Sequence, residues 1–392
     1  MISLERIAII KIENDDVYGA VKKAIEAAGQ PDLSSGDTVI VKPNLCAPKP
    51  YNSGVITNIE VVKAVCKYLI EEMNVKPLVG DMPIVGWDPK EVYQKLGVKE
   101  EVEKVGAQFL DFSEEEFIKI EIPDGKKLKS VKILKKAFEV DGIISVPVMK
   151  NHFLTGVTLS IKNLKGLIAQ DQRTKVHVLG LHEPVVDLFQ ALKNQVKYAI
   201  VDGTYAANQV KPSGPYYGPI EPGEVVKMDL IIAGKDPVAV DAVTSRVMGF
   251  NPAKIKIISI AAERGLGEIE NIEVVGEEAK PFKKFKASFK GRIISFMSRI
   301  WTTKVLNPLV NPLAKKLFGP QMVTLSKAQE EVGEGKKGEV ILIGECDGCG
   351  VCVKSCKVNN IRLVEGKPVI GDRCIKCFIC VEVCPKSALA IQ

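Results

Sequence analysis

The sequence has little histidine, with three residues, and little tryptophan, with two; aromatic residues together make up 6%. It lacks any apolar run near the ~20 residues that a bilayer-crossing helix needs. Its opening residues, Met1-Ile2-Ser3-Leu4-Glu5-Arg6, place charge where a signal peptide needs an apolar stretch. The expected compartment is therefore the cytoplasm. No Walker A motif is present. The one G-x-G-x-x-G match, Gly333 to Gly338, precedes a strand-like run instead of following one, so it is not a dinucleotide fingerprint. Cysteine is absent from most of the chain: of ten, only Cys46 and Cys66 precede residue 346. Without an export signal, a disulfide scaffold is not expected.

Acidic residues are missing from one stretch. Between Lys280 and Lys327 there are eleven basic residues and no acid. The whole chain carries +6, but its other 43 basic and 48 acidic residues come to −5. From Phe282, the apolar residues Phe282, Phe285, Phe289, Ile293, Phe296 and Ile300 step at helical spacing, with basic residues on the other faces. This stripe is expected to pack on the chain's own body. Its basic face then meets an acidic redox partner protein, and a membrane surface, met through 280–316, is the alternative. No base-reading module accompanies it, so nucleic acid is not an expected partner.

The last 47 residues hold eight cysteines. Cys346, Cys349, Cys352 and Cys356 read C-x2-C-x2-C-x3-C, and Cys374, Cys377, Cys380 and Cys384 repeat that spacing 28 residues later. This is the ligand pattern of two [4Fe-4S] clusters, in which three close cysteines wrap one cluster and the fourth reaches the other. One cluster is assigned to Cys346, Cys349, Cys352 and Cys384, and the other to Cys374, Cys377, Cys380 and Cys356. Zinc favours closed sites built from paired C-x2-C knuckles, a different arrangement.

Upstream, short Val- and Ile-rich runs alternate with helical patterns. The strands are expected at Arg6–Ile12, Thr38–Val41, Pro77–Gly80, Gly142–Val146, Tyr198–Val201, Asp229–Ala233 and Asn271–Val275. Phe117–Ile122 and Leu128–Leu134 suggest a hairpin or edge strands around Pro123-Asp124-Gly125. The expected fold is α/β, a mostly parallel sheet with helices on both faces, followed by a small α+β ferredoxin-like domain. The boundaries are drawn at 1–279 for the α/β domain, 280–335 for a basic connecting segment and 336–392 for the cluster domain.

Ligands of open α/β sheets sit outside the carboxyl ends of the strands. Polar residues gather after five of the expected strands: Lys42 and Asn44, Asp81, Lys150 and His152, Asp202, and Asp236. The segment Lys150–Gly166, read as a polar loop, adds Ser160, Lys162, Asn163 and Lys165. Lysines with hydroxyl and amide donors suit a phosphate or a carboxylate. All three histidines, His152, His177 and His182, fall beside this segment. Cys46 follows the Lys42-Pro43-Asn44 loop, whereas Cys66 falls on the apolar side of a helix. For Asp81, Asp202 and Asp236 the competing role is a helix cap or turn.

Taken together, Val41-Lys42-Pro43-Asn44, Gly80-Asp81, Val146 to His152, Ser160 to Gly166, Val201-Asp202-Gly203 and Asp236 to Asp241 resemble a family of prokaryotic Fe–S centre proteins, domain-of-unknown-function family three-six-two. The resemblance spans about residues 1–250, plus the ferredoxin tail that many members carry. The reading is an iron–sulfur oxidoreductase that passes electrons through two [4Fe-4S] clusters to a small anionic ligand, or to a flavin or other phosphate-bearing cofactor, in the α/β domain. His152 and Lys162 are the expected catalytic pair. Lys42, Asn44, Asp81, Lys150, Ser160, Asn163, Lys165, Asp202 and Asp236 are the expected binding residues. The alternative is an electron carrier or maturation factor that docks a redox partner, a ferredoxin or reductase.

Overall fold

In Thr38–Pro43, Val39 and Val41 point to one side and Ile40 to the other, and all three are fully buried. The same alternation recurs where Ile144 and Val146 oppose Ile143, and where Ile231 and Ala233 oppose Ile232. A strand buried on both faces must lie inside a sheet covered by helices on each side. The computed structural model describes residues 4–84, 87–152, 154–173, 176, 179–210, 220–286, 339–356, 359–372, 374, 379–382, 384–386 and 388–391, and it builds that arrangement.

The elements run β1 (Glu5–Lys11), α1 (Val17–Ala28), β2 (Thr38–Pro43), α2 (Ile59–Glu71), β3 (Lys76–Val79), α3 (Pro89–Leu96), α4 (Val98–Glu103), β4 (Gln108–Phe109), β5 (Phe117–Glu121), β6 (Ser130–Leu134), α5 (Lys136–Glu139), β7 (Gly142–Val146), β8 (Val148–His152), β9 (Gly156–Thr158), α6 (Ser160–Asn163), α7 (His182–Leu192), β10 (Val196–Asn208), β11 (Glu224–Gly234), α8 (Pro237–Val247), α9 (Lys256–Glu263) and β12 (Ile272–Gly276). The main sheet has the order β12-β1-β11-β10-β7-β2-β3-β4, with β8 and β9 attached beyond β10. Neighbouring strands are parallel except at β11, which runs against both β1 and β10, and at β9, which runs against β8.

Two cores flank this sheet. On one face, Val21 and Ile25 of α1 and Val62, Val65 and Leu69 of α2 pack on Val39, Val41, Ile144 and Ile200. On the other, α7, α8 and α9 join the β5–β6 hairpin over Ile40, Ile143, Val201 and Ile232. Each fully buried Val, Leu or Ile contributes about 1.5–3 kcal/mol against exposure, so the two cores are the main source of stability. The hairpin expected around Asp124 forms, with Phe117 opposite Leu134 and Glu121 opposite Ser130.

Three expectations are corrected. The sense of β11 carries its end, and Asp236 beyond it, to the opposite edge of the sheet from Asp81 and Asp202: Gly234 lies opposite Ile7 and Ala199, near the starts of β1 and β10. A run of apolar residues gives no strand direction, so sequence alone placed all five groups at one edge. Lys150–Gly166 is not a loop: Lys150 and His152 lie on β8, which pairs with β9 before α6 begins. The helical stripe does not start at Phe282, because 281–286 are irregular. Within them Phe285 is nonetheless buried in the core, and its N–H donates to the Met248 carbonyl at 2.9 Å. Phe289, Ile293, Phe296 and Ile300 lie outside the described residues.

The C-terminal part is strand-rich. It contains β13 (Val340–Leu342), α10 (Val351–Lys354), β14 (Ile361–Val364), β15 (Lys367–Ile370), α11 (Ile379–Glu382) and β16 (Leu389–Ile391). β13 pairs with β16 and β14 with β15, both antiparallel. Among the described residues no helix is long and apolar enough to cross a membrane.

Candidate functional site

β2, β3 and β7 are adjacent and parallel, so whatever follows them meets at one edge. Lys42, on β2, is completely buried, and its Nζ donates to Asp81 Oδ1 at 2.7 Å, to Asn163 Oδ1 at 3.2 Å and to the Pro43 carbonyl at 3.1 Å. Burial pulls the Lys42 ammonium below its ordinary range, and the Asp81 carboxylate opposes that. The second carboxylate oxygen of Asp81 accepts from the Leu45 N–H at 2.6 Å. Tyr93 closes the group from α3, donating from its hydroxyl to the Asp81 carbonyl at 2.6 Å.

Gly166 explains how three strands and α6 come this close. A Cβ at that position would lie 1.9 Å from Asp81 Oδ1 and 2.4 Å from Lys42 Nζ. Only a residue without a side chain fits over the ion pair. Asn163, one turn earlier, donates from Nδ2 to the Lys42 carbonyl at 2.9 Å and to Ser145 Oγ at 3.2 Å.

Lys150 extends the network. Its Nζ donates to Val55 O at 2.6 Å and to Asn44 Oδ1 at 3.1 Å, and lies 3.6 Å from Cys46 Sγ. Asn44 is held in turn by Thr57, whose hydroxyl accepts from the Asn44 N–H at 2.8 Å and donates to Val146 O at 2.7 Å. Lys162, half-buried on α6, has a single hydrogen-bond partner among the described residues, Thr158 Oγ1 at 3.5 Å. Burial first, and then the Lys150 charge, push its ammonium down to about 7.

Sequence reasoning missed Arg173. It is 5% exposed, yet among the described residues it donates only to the carbonyls of Pro83, from Nη1 at 2.7 Å, and Ile168, from Nε at 3.4 Å. Its Nη2 is buried with no partner. Arg173 follows two 3-10 turns, Leu164–Leu167 and Gln170–Gln172, and no strand end or motif announces it. The Lys-rich run just before it was the available signal.

The structure thus brings together Lys42, Asn44, Cys46, Asp81, Lys150, Lys162, Asn163 and Arg173. It assigns other expected residues to shaping the chain. Asp202 accepts from the Asn58 N–H at 2.7 Å and from the N–H and hydroxyl of Thr204 at 2.9 and 2.6 Å, fixing the entry to α2. Asp236 caps α8 by accepting from the Val238 N–H at 2.8 Å and ties in Glu268 N–H at 2.7 Å. His152 Nδ1 accepts from the N–H groups of Leu154 and Thr155, both at 3.2 Å, so that nitrogen locks the β8–β9 turn. Ser160 starts α6, and its N–H donates to Asp241 Oδ1 at 2.8 Å. Lys165 is half-buried on the 3-10 turn after α6. His177 lies outside the described residues, and Cys66 is core, its thiol pushed up by burial.

In the C-terminal part, Cys346, Cys349, Cys352 and Cys384 line one cavity. This is the crossed ligand set read from the spacing. The N–H groups of Gly348 and Ala388 point at the sulfurs of Cys346 and Cys384, at 3.4 and 3.2 Å. Gly348 and Gly350 turn the loop at φ +70° and +71°, a region that favours glycine. Four cysteine sulfurs with backbone N–H groups directed at two of them are the donor set of a [4Fe-4S] cluster. Of the other cluster's expected ligands, Cys356 accepts at Sγ from the Asn360 N–H at 3.2 Å, 28 residues before the Ala388–Cys384 pair, and Cys377 lies outside the described residues.

Comparisons with known proteins agree with both halves. The chain is 27% identical over 241 residues to a thylakoid-associated protein of Synechocystis, covering 60% of this chain and 70% of that one. It also matches the lactate racemase apoprotein of Thermoanaerobacterium thermosaccharolyticum at 18% identity and a TM-score of 0.36, covering 60% of this chain and about half, 54%, of that structure. A 4Fe-4S dicluster domain matches residues 339–385. The domain of unknown function DUF362 matches residues 39–246, more than half of the sequence, and the chain belongs to that family.

Proposed function

We propose that this chain is an iron–sulfur oxidoreductase whose α/β domain holds a small anionic ligand, or a phosphate-bearing cofactor such as a flavin, that exchanges electrons with two [4Fe-4S] clusters. The observation that carries the reading is the buried charge. Lys42, Lys150, Lys162 and Arg173 lie within electrostatic reach of one another in turn, and Asp81 is the one described carboxylate bonded to any of the four. Buried cations without counter-charge are costly, and a bound anion removes that cost. Each cluster, when bound, supplies or accepts one electron at low potential. Lys162, with its ammonium near neutrality, is the chain's own proton donor or acceptor beside the anion. A ferredoxin or reductase is the proposed electron source and the cytoplasm the proposed compartment.

The test is to purify the full chain without air, release bound small molecules with acid and identify them by mass spectrometry. The expected result is an anionic compound in stoichiometric amount, missing from Lys150→Met and Lys162→Met proteins that keep their iron. Recovery of no anion, or equal recovery from the variants, would contradict the reading. A full chain that retains no iron would remove its electron-transfer half.

A further inference from the structure

We infer that the ligand of the buried cationic group is a small dianion, a phosphate monoester or a dicarboxylate, and that Arg173 and Lys162 are the side chains that close on it. The inference rests on the anion-site reading above and narrows it. Lys42 is neutralised by Asp81 at 2.7 Å and serves as a strut. Lys150, Lys162 and Arg173 remain, three cations with no described carboxylate bonded to them. Even a Cys46 thiolate, which would sit 3.6 Å from Lys150, leaves two positive charges in excess once a bound anion holds Lys162 protonated.

The donors left open say which side chains touch the ligand. Lys150 spends its hydrogens on Val55 O, Asn44 Oδ1 and the Cys46 sulfur, so it acts through its field. Arg173 Nη2, by contrast, is buried and unpartnered, although most buried donors are satisfied. Lys162 Nζ has only the long contact to Thr158. The Arg173 charge reaches Lys162, and Cys46 lies within electrostatic reach of both. A guanidinium edge together with an ammonium suits a ligand that presents several oxygens and two charges.

The experiment is isothermal titration of the cluster-loaded full chain, dialysed free of small molecules, at fixed ionic strength. The probes are inorganic phosphate, at a pH where it is doubly charged, succinate and acetate. Phosphate or succinate should bind at least about tenfold tighter than acetate. The better of the two assigns the monoester or the dicarboxylate class. Arg173→Lys, which keeps the charge and loses the fork, should weaken the preferred dianion by about tenfold, as should Lys162→Gln, while iron content stays unchanged. Lys162→Gln serves alone if the arginine variant does not fold. Acetate binding as tightly as both dianions would overturn the dianion inference and leave the anion site standing. Dianion binding that ignores the variants would overturn the assigned residues. Binding of none of the three probes would overturn the anion site as well.

Discussion

At the scale of single residues, the site is a buried ion pair with a glycine laid across it. Gly166→Ala would drive a Cβ into Asp81 and Lys42 and force the pair apart. Breaking a buried pair costs about 3–5 kcal/mol, so urea unfolding should show a loss of that size. A change within about 0.5 kcal/mol, the range of an ordinary surface substitution, would mean that the pair is not held as described. Lys42→Met should be comparably damaging, because it strands the Asp81 carboxylate. Adding Asp81→Leu to it should restore much of the loss, since two apolar side chains leave no unpaired charge. The sequence exposed Lys42, Asn44, Asp81, Lys150 and Asn163 because each lies at or just after a strand end, or on the segment that packs over one. Arg173 was hidden because its place depends on two irregular turns. Asp202 and Asp236 looked the same as Asp81 in sequence, yet backbone N–H groups take up their carboxylates. What separates a cap from a site residue is the partner, and the partner is remote in sequence.

At the scale of elements, α6 positions Lys162 and Asn163, and a neighbouring helix fixes α6. Asp241 of α8 accepts from the N–H groups of Ser160 at 2.8 Å and Ile161 at 3.1 Å, the first two residues of α6. Burial outweighs these bonds and pushes the Asp241 carboxyl up to about 7. An acid whose folded pKa is raised gives stability that is full below the unfolded value, near 3.9, and lost as pH rises through about 7. Lys162 is opposite. Its folded value is lowered to about 7, so it gives stability above the unfolded value, about 10.4, that is lost as pH falls through about 7. Ligand-free protein should therefore show a stability that declines from pH about 4 to 7 and recovers from about 7 to 10, read by denaturant midpoints across pH. Asp241→Asn should flatten the first limb and Lys162→Met the second. If both variants keep the wild-type profile, these groups do not titrate as described. The alternation of apolar residues made the strands legible, and Pro123-Asp124-Gly125 made the hairpin legible. The reversed sense of β11 was not, because strand direction follows from connections that local composition does not encode.

At the scale of the whole molecule, a mostly parallel α/β domain with a cationic interior is joined to a two-cluster domain through a segment without acids. The described start of that segment lies on the α/β domain: Phe285 is in the core, Lys283 pairs with Glu224, and the Lys286 N–H donates to Asn208 at 2.9 Å. The crossed cluster ligation makes a prediction at this scale. A double Cys349→Ala, Cys384→Ala protein loses two ligands of one cluster and none of the other, so iron should fall from about eight to about four per chain. Uncrossed ligation would damage both clusters, and nearly all iron would be lost.

The most direct measurement concerns electrons and the anion together. The cluster-loaded chain, purified without air, is reduced by a reduced ferredoxin under conditions in which that ferredoxin does not reduce the released small molecule, and the small molecule released by acid without air is compared with that from the oxidised protein. The account predicts an anionic compound that gains two electrons and two protons, one electron through each cluster, and so becomes heavier by two hydrogens. The gain should be absent from the Cys349→Ala, Cys384→Ala protein. Release of an anion with the same mass before and after reduction, or the same gain without the cluster, would contradict it.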